Sequence, residues 1–246
     1  SLANFICTFE SINHKLIQMK KSILFLLFIT TLTVNAQYCA FYEFEAKEPD
    51  MVVSTLKGMM ETGWGKGIKG TKSLIGIQFN GTSKATHVVQ FCFPDEAALA
   101  DFMSSWALSV DAQLFGDKLA KFTENVTQAL NTPIWYKNDW SNDQAFMIYQ
   151  LDVSNPWAYA KEFISFSQKM GKKMNYTENS YGIGFPIIGK TEAFSHFVWM
   201  GFPDVKTALT MTKQMLSDPM FTEFSAKVSP YRKLVNTLLY VRLMDF

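Results

Sequence analysis

Tyr38 to Glu45 is aromatic-rich, and apolar and polar residues alternate through Tyr42-Glu43-Phe44-Glu45, the period of a strand with one face buried. The period then lengthens. From about Pro49 to Glu61 the apolar positions Met51, Val52, Leu56, Met59 and Met60 recur at helical spacing, with Pro49 suited to a first helical turn. Gly63-Trp64-Gly65-Lys66-Gly67 lacks both patterns and reads as a flexible connection. A strand follows at Leu74 to Phe79, and Asn80-Gly81 supplies a hairpin turn into a return strand from Thr86 to Phe93. Asp95 caps a helix that carries Ala98, Leu99, Phe102 and Trp106, breaks near Asp111 and resumes through Leu119 to Leu130. Pro133 to Tyr136 is the last strand of this half.

The same order returns in the second half. Strand Ala145 to Asp152 leads to a helix from Pro156 through Phe166. Strands near Tyr181 to Phe185 and Phe194 to Phe202 follow, then a helix from Asp204 to Leu216 and a final strand from Thr237 to Met244. Tyr42-Glu43-Phe44-Glu45 before Pro49 reappears as Tyr149-Gln150-Leu151-Asp152 before Pro156, and His87 before Phe93-Pro94-Asp95 reappears as His196 before Phe202-Pro203-Asp204. The copies lie 107 residues apart at the prolines and 109 at the histidines, as one duplicated unit with small loop insertions predicts. Each half reads βαββαβ, the ferredoxin-like order. The expected fold is therefore α+β, with tandem ferredoxin-like repeats at 37–140 and 141–246 whose sheets face each other in a barrel-like pseudo-dimer.

Residues 19–36 have another character. Lys20 and Lys21 precede an apolar run from Ile23 to Val34, and Val34-Asn35-Ala36 offers a small-residue cleavage site before Gln37. The pattern is that of a secretory signal peptide, with an uncleaved anchor as the alternative, and it predicts a secreted or periplasmic bacterial protein without a membrane span after cleavage. Residues 1–18 are read as an upstream segment outside the fold. A formal charge of +1 with no long basic run argues against a nucleic-acid partner. Cys39 and Cys92 alone remain after cleavage, too few for a four-cysteine zinc site.

The strands ending Phe-Pro-Asp at 93–95 and 202–204, the long amphipathic helices, the break Ser217-Asp218-Pro219 before Met220 and Phe221, and the closing strand resemble the dimeric α+β barrel proteins, the group that includes antibiotic-biosynthesis-monooxygenase-like domains. The resemblance spans nearly all of residues 37–246. It implies a fused pseudo-dimer with a cavity inside the barrel or between sheet and helices. Members include cofactor-free oxygenases and haem-binding proteins, so the fold does not select a reaction.

In a ferredoxin-like sheet the first strand lies between the third and fourth. Alternation then puts Cys39, Phe41, Glu43 and Glu45 toward the barrel interior and Tyr38, Ala40, Tyr42 and Phe44 toward the helices. Glu43, Gln90, Lys137, Gln150, Trp199, Tyr240 and Arg242 are expected to gather inside and hold a small-molecule ligand. Comparing the halves pairs Glu43 with Gln150, Gln90 with Trp199 and Lys137 with Arg242. Glu43 is either an ion-pair partner of Lys137 or a desolvated general base. His87 and His196 are either histidines bonded to a backbone carbonyl at the sheet end or an axial haem ligand or proton shuttle; with Glu43 they are the catalytic candidates. No zinc-ligand spacing accompanies them, so no metal and no resident cofactor is expected, haem being the exception the resemblance allows. Cys39 and Cys92 fall at neighbouring strand ends with shared parity, as a disulfide or as two buried thiols. Two functions stand: a binding module that retains a small ligand, or a cofactor-independent oxygenase-like enzyme. In either case the fused halves predict a monomer.

Overall fold

The computed structural model describes residues 37–246 except 177 and 190–193. The signal-peptide reading and the upstream segment fall outside the described residues.

The first half contains β1 (Tyr38–Ala46), α1 (Pro49–Glu61), α2 (Gly63–Gly67), β2 (Thr71–Phe79), β3 (His87–Phe93), α3 (Glu96–Leu108), α4 (Val110–Ala120) and β4 (Thr123–Lys137). The second contains β5 (Ala145–Val153), α5 (Pro156–Lys173), β6 (Tyr181–Ile188), β7 (His196–Phe202), α6 (Val205–Leu216), α7 (Pro219–Val228) and β8 (Arg232–Asp245). The eight strands close into one antiparallel barrel in the order β1-β3-β2-β8-β5-β7-β6-β4, with β4 returning to β1. Each half supplies its strands in the ferredoxin-like order 4-1-3-2, and the β2–β8 and β4–β6 ladders join the halves. Among the described strands closure leaves no unpaired sheet edge, the usual hazard of a lone ferredoxin-like sheet.

The helices lie outside the barrel because their apolar stripes match the outer sheet face. In α1 the buried positions Val52, Thr55, Leu56, Met59 and Met60 form one stripe, packed with Ala40, Phe44, Val89 and Phe91 from the strands. In α5 the buried run from Tyr159 through Phe163, Phe166 and Met170 to Gly171 does the same for the second half. Asp95 and Asp204 cap α3 and α6 by accepting from the amides of Ala98 at 2.8 Å and Thr207 at 2.7 Å. These are the two aspartates of the repeated Phe-Pro-Asp sequence.

Two expectations are corrected. The glycine-rich connection is partly helical: Thr62 caps α2, and Trp64 packs 5.3 Å from Trp106 and 6.0 Å from Phe102, with its indole N–H donating to Ser105 Oγ at 3.0 Å. Gly65 is required there because a Cβ would strike the backbone of Met59 and Met60. The helix expected to run to Leu130 stops at Ala120, and β4 begins at Thr123. Leu119, Phe122, Val126 and Leu130 have helical spacing, but β-branched Thr123, Val126 and Thr127 suit a strand, and β4 pairs with β1 over its first half.

Candidate functional site

The interior of the barrel contains a cavity of about 430 Å³, within the range of small-molecule sites. Its walls are mostly apolar and aromatic: Phe41, Ile75, Phe146, Ile148, Phe197 and Trp199 are among them. The polar groups are few. Glu43 in β1 accepts hydrogen bonds from Thr127 Oγ1 in β4 and from the Tyr240 hydroxyl in β8, each at 2.8 Å. β1 and β8 are not neighbours, so the tyrosine reaches Glu43 across the lumen. Tyr240 is 3% exposed; burial, reinforced by the adjacent carboxylate, raises its phenol well above the usual pKa and keeps it a neutral donor. A carboxylate offers about four acceptor sites. Two are taken, which leaves Glu43 able to accept from a guest.

Sequence reasoning placed Glu43, Gln90, Gln150, Trp199 and Tyr240 at this interior, and all five line the cavity. Lys137 and Arg242 do not. Lys137 is exposed at the far end of β4, its Cα opposite Tyr181, while the β4 residue opposite Glu43 is Thr127. The expected Glu43–Lys137 ion pair is therefore replaced by the Thr127 hydrogen bond, a consequence of β4 beginning earlier than its helical spacing suggested. Arg242 stands at the barrel end, donating to Asp245 Oδ1 at 2.8 Å and the Trp140 carbonyl at 2.6 Å, with its guanidinium 5.7 Å from the Phe146 ring centre. Among the described lining residues Glu43 is the one acid and exposed Lys84, on the β2–β3 turn, the one base.

The histidines lie elsewhere. His87 Nδ1 is 2.9 Å from Thr86 Oγ1, its ring stacks on Phe44, and burial lowers its pKa below the usual imidazole value. His196 Nδ1 is 2.9 Å from Ser195 Oγ. Both sit at the starts of their strands, outside the described lining of the cavity. Cys39 and Cys92 are directly opposite in the β1–β3 register and joined by a disulfide; Cys39 faces the lumen, and Gln90 Nε2 lies 3.2 Å from Cys92 Sγ.

Thr127, Asn131 and Asn236 are site residues that sequence reasoning missed. Asn131 and Thr127 lay in or beside the stretch read as helix, and Asn236 preceded the expected start of β8. The signal was present as alternation: Thr127, Ala129, Asn131 and Pro133 all line the cavity.

No family model matches the sequence, and no curated protein sequence matches it. Solved structures do match by shape. A candidate monooxygenase from Fusobacterium nucleatum subsp. nucleatum superposes with a TM-score of 0.58 at 15% identity, covering 87% of this chain and 95% of its own. An anthrone oxidase-like protein gives 0.57 at 8%, covering 87% and 94%. A haem-binding protein from Thermus thermophilus gives 0.54 at 11%, covering 85% and 92%. The fold is that of the dimeric α+β barrels. At these identities the likeness carries the fold and no chemistry.

Because one such neighbour binds haem, the donor set of this chain matters. Haem iron usually takes His, a Cys thiolate, Met or Tyr. The barrel cavity presents no imidazole among its described lining residues; Cys39 is in a disulfide and the Tyr240 hydroxyl is committed to Glu43. A second cavity, between the helices α5 to α7 and the sheet, has methionine and tyrosine side chains but no imidazole among its described lining residues, and at about 140 Å³ it is too small for the group, below the roughly 300 Å³ where cofactor sites begin. Neither arrangement fits haem. Among the described residues no cluster of three His, Cys, Asp or Glu side chains could hold a metal ion, and no helix is long and apolar enough to cross a membrane.

Proposed function

We propose that this protein is a small-molecule-binding protein that retains an uncharged, largely aromatic or apolar ligand inside its barrel. One observation carries the reading: a closed barrel, which could have been packed solid, instead keeps about 430 Å³ of apolar-walled space around a carboxylate with acceptor capacity to spare. The two βαββαβ halves are a duplicated unit whose interface, internal to one chain, makes the protein a monomer acting as a pseudo-dimer. The signal-like sequence at 19–36 and the Cys39–Cys92 disulfide support export to an oxidising compartment.

The test uses protein secreted from its own leader. N-terminal sequencing should begin at Gln37. Native mass spectrometry should show a retained organic molecule, or, after its removal, calorimetry should show indole binding that Ala129→Phe, placed in the lumen wall, abolishes. An empty protein that binds no aromatic probe, or indole binding indifferent to Ala129→Phe, overturns the reading. A catalytic role is the competing reading, favoured by the Glu43 carboxylate facing the ligand space. Glu43→Gln decides it: unchanged binding with loss of a measured turnover makes Glu43 a general base.

A further inference from the structure

The barrel register relates the halves residue by residue. Glu43 faces Thr127 across β1–β4 as Gln150 faces Asn236 across β5–β8; Cys39 faces Asn131 as Phe146 faces Tyr240; and Phe41 faces Gln90 as Ile148 faces Trp199. The equivalents are thus Glu43 with Gln150, Thr127 with Asn236, Asn131 with Tyr240, Cys39 with Phe146 and Gln90 with Trp199. The same register pairs Arg242 with Pro133 instead of Lys137, since β2 Ile75 faces Arg242 as β6 Gly184 faces Pro133.

Size is distributed unequally over these pairs. The second half contributes Phe146, Trp199 and Tyr240; the first contributes Cys39, Gln90 and Asn131 at the same places. On one side of the lumen Tyr240 crosses from β8 and donates to Glu43. On the other, the residue in the place of Tyr240 is Asn131, whose side chain is too short to cross to Gln150. Asn131 is 6% exposed, and neither its amide nor that of Gln150 has a hydrogen-bond partner among the described residues. Both line the cavity. Two amides therefore face an apolar space at opposite ends of a path that, on the equivalent side, a phenol ring fills.

We propose that the ligand is a neutral phenol-type ring lying between Gln150 and Asn131, in the position equivalent to the Tyr240 side chain, with its hydroxyl on the Gln150 amide and a second polar substituent, para to it, on the Asn131 amide. The inference rests on the barrel being the ligand site. Aromatic walls take the ring faces, and amides, which donate and accept, match hydroxyls at either end. Neutrality follows from the lining: Glu43 repels an anion, and the sole cation among the described lining residues, Lys84, stands exposed. A site built to hydrogen-bond a hydroxyl discriminates strongly against an analogue without one, because its buried polar groups are then left unpaired.

Calorimetric titrations of the full secreted chain with 4-hydroxybenzyl alcohol, p-cresol and toluene test this. The expected affinity falls in that order, by about tenfold or more between p-cresol and toluene. Gln150→Leu should bring p-cresol to the level of toluene. Asn131→Tyr, which rebuilds the tyrosine of the other half, should abolish binding of all three while raising or preserving the melting temperature. Equal affinities for p-cresol and toluene overturn the phenol assignment and leave the barrel site standing. Binding of p-cresol that survives both Gln150→Leu and Asn131→Tyr, or no binding of any probe by a protein that still binds indole in an Ala129-dependent way, overturns it too. Loss of indole binding as well would remove the barrel site itself.

Discussion

Removing one oxygen atom, in Tyr240→Phe, tests whether the hydroxyl–carboxylate bridge holds the two halves across the lumen. The ring is 3% exposed and its packing is unchanged by the substitution, so the loss is confined to one hydrogen bond of 2.8 Å to a side-chain carboxyl oxygen. Such bonds contribute about 1.5–3 kcal/mol. Glu43 keeps its Thr127 donor and has cavity space in which water can replace the phenol, so the lower end, about 1.5 kcal/mol, is expected. For a chain of this size about 1 kcal/mol corresponds to roughly 2–4 °C, giving a fall of about 3–6 °C in the thermal midpoint. Scanning calorimetry of wild type, Tyr240→Phe, Glu43→Gln and the double variant measures the coupling directly. The double variant should lose less than the sum of the two single losses, with a coupling of about 1 kcal/mol or more. A midpoint shift under about 1 °C with strictly additive variants would refute the bridge, and with it the argument that a phenol-shaped space lies on the other side.

Three further outcomes follow from named contacts. Replacing Cys39 and Cys92 by Ala opens a crosslink with a sequence separation of 53, worth about 4 kcal/mol in the chain-entropy picture; urea unfolding should show that loss, and a midpoint unmoved by the replacement would contradict the pairing. His87 is held below its ordinary pKa by burial, so the unfolded chain binds a proton more readily than the folded one: stability should fall as pH drops below about 6.5, and His87→Gln should flatten that dependence while leaving stability at about pH 8 little changed. Trp64→Ala removes a half-buried indole packed against Phe102 and Trp106 and should cost about 2 kcal/mol, less than for a fully buried aromatic, read by denaturant midpoint; a cost below about 0.5 kcal/mol would mean α2 packs loosely.

The sequence revealed the elements whose signals are local. The repeated Phe-Pro-Asp ends strands and caps helices through side-chain oxygens that reach three residues ahead, and those caps form at Asp95 and Asp204. The α1 stripe from Val52 to Met60 was visible for the same reason. β4 was not. Its apolar residues satisfy a helix as well as a strand, and the choice is made by β1 and β6, whose ladders it completes on both sides. Propensity yields to pairing when a long strand closes a barrel.

That single misreading explains most of what was missed at the site. Strand alternation alone sends Glu43 to the lumen, but which residues meet it depends on the register of β4, and a register error turns Thr127 into Lys137. The expected charge pair thus became a carboxylate held by two hydroxyls. The consequence for ligand choice is large. An interior ion pair would have presented a compensated site with little hydrogen-bonding demand, whereas Glu43 with two donors of about four acceptor positions, opposite two side-chain amides without partners among the described residues, suits the guest we propose, one with polar ends and an apolar middle. The matching registers of the two halves make the proposed demand legible: with one half as the reference for the other, the places where size drops, Asn131 for Tyr240 and Gln90 for Trp199, outline the volume of the guest we propose, and the places where chemistry is kept polar, Gln150 for Glu43 and Asn236 for Thr127, mark the ends of that volume.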